Sequence, residues 1–412
     1  MRLVKITSAY PGYLKEFYDS RPDTALLPYG EQKKALDRDA FGWADFWSHA
    51  LSPLGYEVLE ITRNAGPLQE VWARENGVKE GTGPVGIVVE QVKRYRPDIL
   101  WFDDTDEALL RGLRDAVPSL RLVLGWVGSA IPASGVWSDM DLILSCAPES
   151  VAVMKDAGHE AAHLHHGFDP RVPGRLADRG KTMDISFIGQ VVRSGGVHRH
   201  REEFLEKVAQ GTSLEIFSPS EGFTWRDDVT SAVKSIVYRS AHALRAAGIP
   251  ASWISAIPLA GGALRWQARP VSPVNRRLKR FLRPPVFGLD MFQVIRDSRI
   301  TLNIHADSSP RFASNMRLFE TTGVGTCLVT DWRENLHELF EPDSEVVTYR
   351  SADECMEKVS WLLDNPGKRE DIAMAGMRRT LREHTFEHRA AELDRIIRTS
   401  LVKRSGQGGA AP

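Results

Sequence analysis

A histidine, three arginines, a serine–asparagine pair and a glutamate fall within one stretch, Arg299 to Asp331, reading RITLNIHADSSPRFASNMRLFETTGVGTCLVTD. Ile300–Ile304 is an apolar, partly β-branched run of strand length. His305 to Ser314 is a polar loop. Ser314 or Asn315 can cap a helix running through Met316, Leu318 and Phe319, and Gly323 and Gly325 end it. Thr326–Thr330 then reads as a second buried strand, closed by Asp331. A loop entering a helix N-terminus between two strands holds phosphate on backbone N–H groups and the helix dipole. Arg311 and Arg317 flank that terminus, where a cation opposes the dipole, so an anion there gives both a reason. Glu320 stands about a turn further on, where a carboxylate can take two ribose hydroxyls. His305, at a strand end, could touch a bound phosphate, or be a satisfied core histidine.

A second basic loop, QVVRSGGVHRHR, follows the strand-like DISFIG. Gly189 and Arg193 there suit a phosphate clamp, and equally a solvated surface loop. For a general base, Asp103 and Asp104 close a strand, although Asp104-Thr105-Asp106-Glu107 also reads as a capping box. Asp45 and His49, four apart on one predicted helix, could pair as base and orienter, or simply face solvent. His163, His165 and His166 form a triplet with no carboxylate or cysteine to complete a metal set, so no metal is expected. Trp43, Trp47, Tyr10 and Tyr13 could stack on a sugar, but aromatics at helical spacing more often build core.

The elements that must position these residues alternate along the chain. The 412 residues suit two domains, each with its own core, at 42% hydrophobic and 26% charged content. A net charge of -1 gives no overall basic field for nucleic acid. Cys146, Cys327 and Cys355 lack metal-ligand spacing and read as buried thiols of a reducing compartment, the cytoplasm. The opening MRLVKITSAY reads as a first strand, and no run approaches the roughly 20 apolar residues of a membrane helix.

Strands are expected at 3–7, 56–61, 99–102, 120–124 and 142–145, with helices between them, including WADFWSHAL at 43–51. HLHHGFDPRVPGRLADRG reads as a linker. The rhythm restarts at Asp184, with strands at 184–189, 214–217, 300–304, 326–330 and 345–349. Residues 219–288 break it, with a long helix at about 228–247, an apolar WISAIPLAGGALRW and a basic NRRLKRFLR. That insert packs on its domain or leans on an anionic membrane through 251–283. The pattern implies an α/β protein of two Rossmann-like domains facing a cleft, with parallel sheets covered by helices on both faces. The expected domains are 1–170 and 171–383, then a helix at 384–402 crossing back to the first domain and a disordered tail at 403–412.

Residues 183–395 resemble the second domain of a GT-B glycosyltransferase, of the group-1-like branch that includes the spore-maturation-protein relatives. The resemblance rests on DISFIG, LNIHADSSPRFASNMRLFETTGVGTCLVTD, LFEPDSEVVTYRSADECMEKVSWLLDNP and HTFEHRAAEL. The first half is similar through GWVG, DLILSCAPESV and HHGFDP. This implies transfer of a sugar from a nucleotide diphosphate donor on the C-terminal domain, with no metal or other cofactor. A glycan, lipid-linked or other cell-surface acceptor would enter from the N-terminal domain. Glu320 matches the ribose-binding carboxylate of related retaining enzymes. Their other carboxylate falls at Phe312, so the stretch argues for the nucleotide better than for the sugar. Two alternatives stand beside transfer: a nucleotide-sugar epimerase on this fold, or a non-catalytic nucleotide-sugar-binding protein.

Overall fold

The computed structural model describes residues 1–128, 130–191, 199–257, 260–266, 269–273 and 275–407. Among the described residues twelve strands form two six-stranded sheets, every pairing parallel. The first sheet holds β1 (Arg2–Thr7), β2 (Glu57–Thr62), β3 (Ile99–Asp103), β4 (Leu122–Val127), β5 (Leu142–Ser145) and β6 (Ala161–His163). The second holds β7 (Met183–Ile188), β8 (Leu214–Phe217), β9 (Leu282–Arg283), β10 (Ser298–Asn303), β11 (Cys327–Asp331) and β12 (Val347–Tyr349). Parallel strands need crossovers, and the crossover helices bury both faces of each sheet. That is why β4 and β5 read as continuous apolar runs and are buried throughout.

The strand orders locate the ligand crevices. The first sheet runs β2-β1-β3-β4-β5-β6, so the chain leaves β1 to one side and returns on the other at β3. The second runs β12-β11-β10-β7-β8-β9, and the same reversal falls between β7 and β10. In open α/β sheets ligands bind outside the carboxyl ends of the strands at such a switch point. In the first sheet that point is Thr7–Ser8 with Asp103–Asp104. In the second it is Ile188–Gly189 with Ile304–His305.

The halves are joined twice at the linker. Phe168 N–H donates to His384 O at 2.9 Å, and Phe386 N–H to Phe168 O at 3.0 Å. The last helix, Phe386–Gln407, lies against the first half: Tyr56 Oη donates to Asp394 at 2.7 Å, and Phe386 packs on Phe46 and Trp47. The Phe168 ring is buried over Gly323, where a Cβ would overlap the ring carbons. Gly323→Ala is therefore expected to cost about 1–3 kcal/mol of stability by overpacking. Urea unfolding measures it, and an unchanged midpoint would show that the ring moves aside freely.

The structure departs from the sequence expectations in several places. The helix expected at 43–51 is only Phe46–Leu51, because Ala40 and Ala44 take positive φ (58° and 41°), which a helix cannot continue through. Ala161–His163 pairs with β5 as a sixth strand, just ahead of the glycine- and proline-rich linker. Leu282–Arg283, inside the basic run assigned to the insert, pairs with β8. Two- and three-residue edge strands leave no periodicity to read. The last helix reaches Gln407, so 403–407 are helical rather than tail, while 408–412 lie outside the described residues.

Candidate functional site

At the second switch point Arg201 ties the two loops together. It rises from the helix Arg199–Gly211, is buried, and donates through Nη1 to Gln190 O (3.2 Å) and through Nη2 to Ile304 O (2.7 Å). Burial pushes its guanidinium down to about 10, with Asp331 and Tyr349 pulling the other way. Gly189 sits beneath it, and a Cβ there would press on the Phe187 ring. Arg193, the other residue expected in this loop, lies outside the described residues.

His305 follows β10 and is fully buried, with Nδ1 2.6 Å from Asp331 Oδ1. The Asp331 carboxylate also accepts the His305 backbone N–H (3.0 and 3.3 Å) and pairs with Arg333 at 2.6 Å. Burial works against that charge, yet the His305 ring and Arg333 outweigh it and hold the carboxyl below its ordinary range. The carboxylate fixes the proton on Nδ1, leaving His305 Nε2 buried without a partner among the described residues. Neutral, that nitrogen accepts a hydroxyl hydrogen bond; protonated, it donates to a phosphate oxygen. Beside it Asn315 donates to Asn303 at 2.7 Å, and its own Oδ1 is also buried and unpartnered. Asn303 in turn donates to Thr330, and its carbonyl accepts Tyr349 Oη. Buried polar atoms are nearly always satisfied, so two orphans at one switch point single it out as the candidate site.

The following helix is Arg317–Gly323, with Met316 at its N-cap and no side-chain cap. Ser314 and Asn315 therefore do not cap it. Their N–H groups have no partner among the described residues, and the Asn315 side chain is drawn to Asn303 instead. Arg317 pairs with Glu320 at 2.7 Å and also reaches Met291 Sδ, so a carboxylate of its own turn offsets its clash with the dipole. Burial raises the Glu320 carboxyl, and Arg317 opposes the rise. Arg311 points elsewhere. Glu334 holds it by two hydrogen bonds (3.0 and 2.8 Å) at the surface, and it stacks on Phe312. Its backbone has another role. Arg311 N–H, Phe312 N–H and Ser309 Oγ all donate to the Glu149 carboxylate at 3.0 Å. Glu149 comes from the N-terminal half, in the first turn of the helix Pro148–Asp156. A carboxylate thus reaches the backbone of Phe312, whose side chain supplies none.

The expected bases fare differently. Asp104 Oδ1 accepts the N–H groups of Thr105 (2.8 Å) and Asp106 (3.0 Å), while Oδ2 takes Ser8 Oγ (3.0 Å) and Arg63 Nε (2.9 Å). Its acceptor positions are filled by turn and ion-pair contacts, leaving none for a substrate proton. Asp106, not Asp104, caps the helix Glu107–Ala116, accepting Leu109 N–H at 3.0 Å. Asp45 and His49 do not pair as base and orienter. Asp45 precedes its helix and gives both oxygens to Arg171 (3.0 and 2.8 Å), while His49 is exposed. The bland reading holds for Trp47 and Tyr13, which are core, and Tyr10 is exposed with its ring edge on Phe41. His163 bonds Cys146 O, and His166 is buried with Nδ1 unpartnered. Among the described residues, no His, Cys, Asp and Glu group is placed to hold a metal ion.

Asp103, the neighbour of Asp104, lies on the other sheet face, with Lys5 and Trp101. Burial raises its carboxyl to about 6, the Lys5 ammonium pulls against the rise, and Asp104 adds to it. Lys5 is buried in mid-strand, with Nζ 4.2 Å from the Trp43 ring centre and 5.5 Å from that of Trp101. Burial pushes it down to about 8, while Glu60 and Asp103 oppose the shift.

Sequence reasoning passed over Asp331, Asn303 and the bridging role of Arg201. Asp331 had a usable signal: it closes the strand beside the one that ends at His305.

Comparison with known proteins bears on the fold. Residues 199–395, just under half of the chain, match the family model described as glycosyl transferase-like. No curated protein matches the sequence. Among solved structures, Anabaena HepE in complex with UDP-glucose superposes with a TM-score of 0.51 at 10% identity, covering 97% of this chain and 100% of that one. Sucrose-phosphate synthase from Thermosynechococcus elongatus gives 0.51 at 11% identity, covering 98% and 100%. An alpha-glucosyltransferase in complex with UDP-glucose and DNA containing an abasic site gives 0.54 at 13% identity, covering 96% and 99%. The C-terminal half is thus glycosyl transferase-like by sequence, and the whole chain has the two-domain GT-B fold of glycosyltransferases.

Proposed function

We propose that the protein is a glycosyltransferase that moves a sugar from a nucleotide diphosphate donor at the β7–β10 switch point to an acceptor hydroxyl entering from the β1–β3 side. Within that class we place it beside the spore-maturation-protein relatives, and we take a glycan or lipid-linked molecule as the acceptor. The observation that carries the reading is the buried His305 imidazole, oriented by Asp331 and left with a free Nε2 at a switch point. The UDP-glucose bound by two structural neighbours supports a nucleotide-sugar donor.

The roles follow from the contacts. Glu320 takes the ribose hydroxyls, sharing its charge with Arg317. The N–H groups of Ser314 and Asn315, with Arg317, face the diphosphate and stabilise the charge that develops as it leaves. His305 Nε2 and Asn315 Oδ1 hold the sugar–phosphate junction. Arg201 keeps the two loops in register. Asp103 takes the proton of the acceptor hydroxyl, in place of the engaged Asp104.

The test incubates the protein with a panel of nucleotide sugars, with and without glycan acceptors, and follows nucleotide release. Acceptor-dependent release is expected. Isomerised sugar without release would indicate an epimerase, and binding with neither outcome a non-catalytic binding protein. Glu320→Ala is expected to weaken UDP binding by about 1–3 kcal/mol, roughly 5- to 150-fold in Kd, by calorimetry. Unchanged affinity would remove Glu320 from the ribose site.

A further inference from the structure

The insert between β8 and β9 plays no part in either switch point, and its charge is segregated from the rest. Counted with β9 and the turn after it, residues 219–288 hold eleven Lys and Arg against three Asp and Glu, a net +8 in a chain whose net charge is -1. Everything outside the insert therefore sums to -9.

Its main element is the helix Trp225–Ala246. One strip of that helix is covered. Val237, Ala241 and Leu244 pack with Ile254, Ala260 and Ala263 into a small core of the insert's own. A second apolar strip lies beside it and is open to solvent. Trp225 (67% exposed), Val229 (51%), Val233 (49%) and Ile236 (62%) follow one another at spacings of four, four and three. At 1.5 Å per residue this strip is about 17 Å long. Trp253 (72%) and Ile257 (48%), in and just after the next short helix, are exposed as well. Exposed Arg226 lies over the Trp225 ring, and Lys234, Arg239 and Arg245 rise along the same helix into solvent.

We infer that this insert docks on an anionic lipid surface, with the Trp225–Ile236 strip entering the headgroup boundary and Arg226 and Arg239, which flank the strip on its two sides at 100° per residue, pairing with lipid phosphates. The strip's valines and isoleucine gain nothing from nucleic acid, whereas an aliphatic strip headed by a tryptophan inside a +8 field is what an anionic bilayer surface attracts. Among the described residues no helix is long and apolar enough to cross a membrane, so the contact is peripheral. The inference stands apart from the catalytic reading, because it uses none of those residues.

The experiment sediments the full-length protein with vesicles of phosphatidylcholine alone or with about one-third phosphatidylglycerol. Binding to the anionic vesicles is expected, weakening about tenfold or more in high salt. Val229→Asp with Ile236→Asp is expected to lower it about tenfold or more while leaving the unfolding midpoint unchanged, since both side chains face solvent. A charge-only variant, Arg226→Gln with Arg239→Gln, should weaken binding in low salt and reduce its salt dependence. Equal partitioning onto both vesicle types, or none, would overturn the inference. So would anionic-vesicle binding unmoved by the aspartates, or duplex DNA bound more tightly than the vesicles, because either result would assign the insert to a polyanion recognised by charge alone.

Discussion

His305→Ala is expected to lower the rate of sugar transfer by about a hundred- to ten-thousand-fold, with UDP affinity little changed. The split follows from placement. Glu320 and the loop N–H groups hold the nucleotide, whereas His305 Nε2 faces the part of the donor whose charge changes during transfer. Asp331→Asn tests the same bond from behind. An amide in place of the carboxylate no longer fixes the proton on Nδ1, so the rate should fall nearly as far. It also strips Arg333 and His305 of their buried counter-charge, so a loss of about 3–5 kcal/mol in stability should accompany it. Because the native Asp331 carboxyl is held below its ordinary range, its stabilising contribution is present at neutral pH and is lost as pH falls through the folded value. Single-turnover rates separate the two effects. Wild-type turnover in His305→Ala would sink the assignment.

Much of the fold could be read from the sequence, because both sheets are parallel and central strands such as β4 and β5 are apolar runs bounded by turn residues. What escaped had no periodicity to show: the two-residue β9, the three-residue β6, and the backbone reversals at Ala40 and Ala44 that shorten a tryptophan-rich helix. The candidate site was half legible. His305 and Glu320 could be found because they stand at fixed places in a strand–loop–helix unit. Arg311 could not be separated from Arg317 by position alone. Glu334, which captures Arg311, and Glu149, which captures the loop backbone, lie 23 and 162 positions away from it in sequence. Asp104 could not be told from Asp103 for the same reason. A carboxylate at a strand end looks free until Ser8 and Arg63 are placed beside it by the neighbouring strands.

Asp103→Asn is expected to reduce transfer by about 10²–10⁴ and to remove the acidic limb of the pH profile. A base must be ionised to take the acceptor's proton, so wild-type kcat/KM should rise with pH and level off above about 6, where burial has pushed this carboxyl. The stability of the protein runs the other way. A carboxyl whose folded pKa is raised holds its proton to higher pH in the native state than in the unfolded chain. Stability therefore declines between about pH 4 and the raised value, and the cost persists above it. Removing the charge should recover that cost at neutral pH, with Glu60 still facing Lys5 from the adjacent strand. The variant is thus expected to be much slower yet no less stable, as befits a charge kept for chemistry rather than folding. Asp104→Asn is the contrast. It weakens the Arg63 ion pair and the turn into the next helix, so stability should fall while the pH limb stays in place. If the limb vanishes with Asp104 and survives the loss of Asp103, the base is Asp104 after all, and its contacts with Ser8 and Arg63 must open when the acceptor binds.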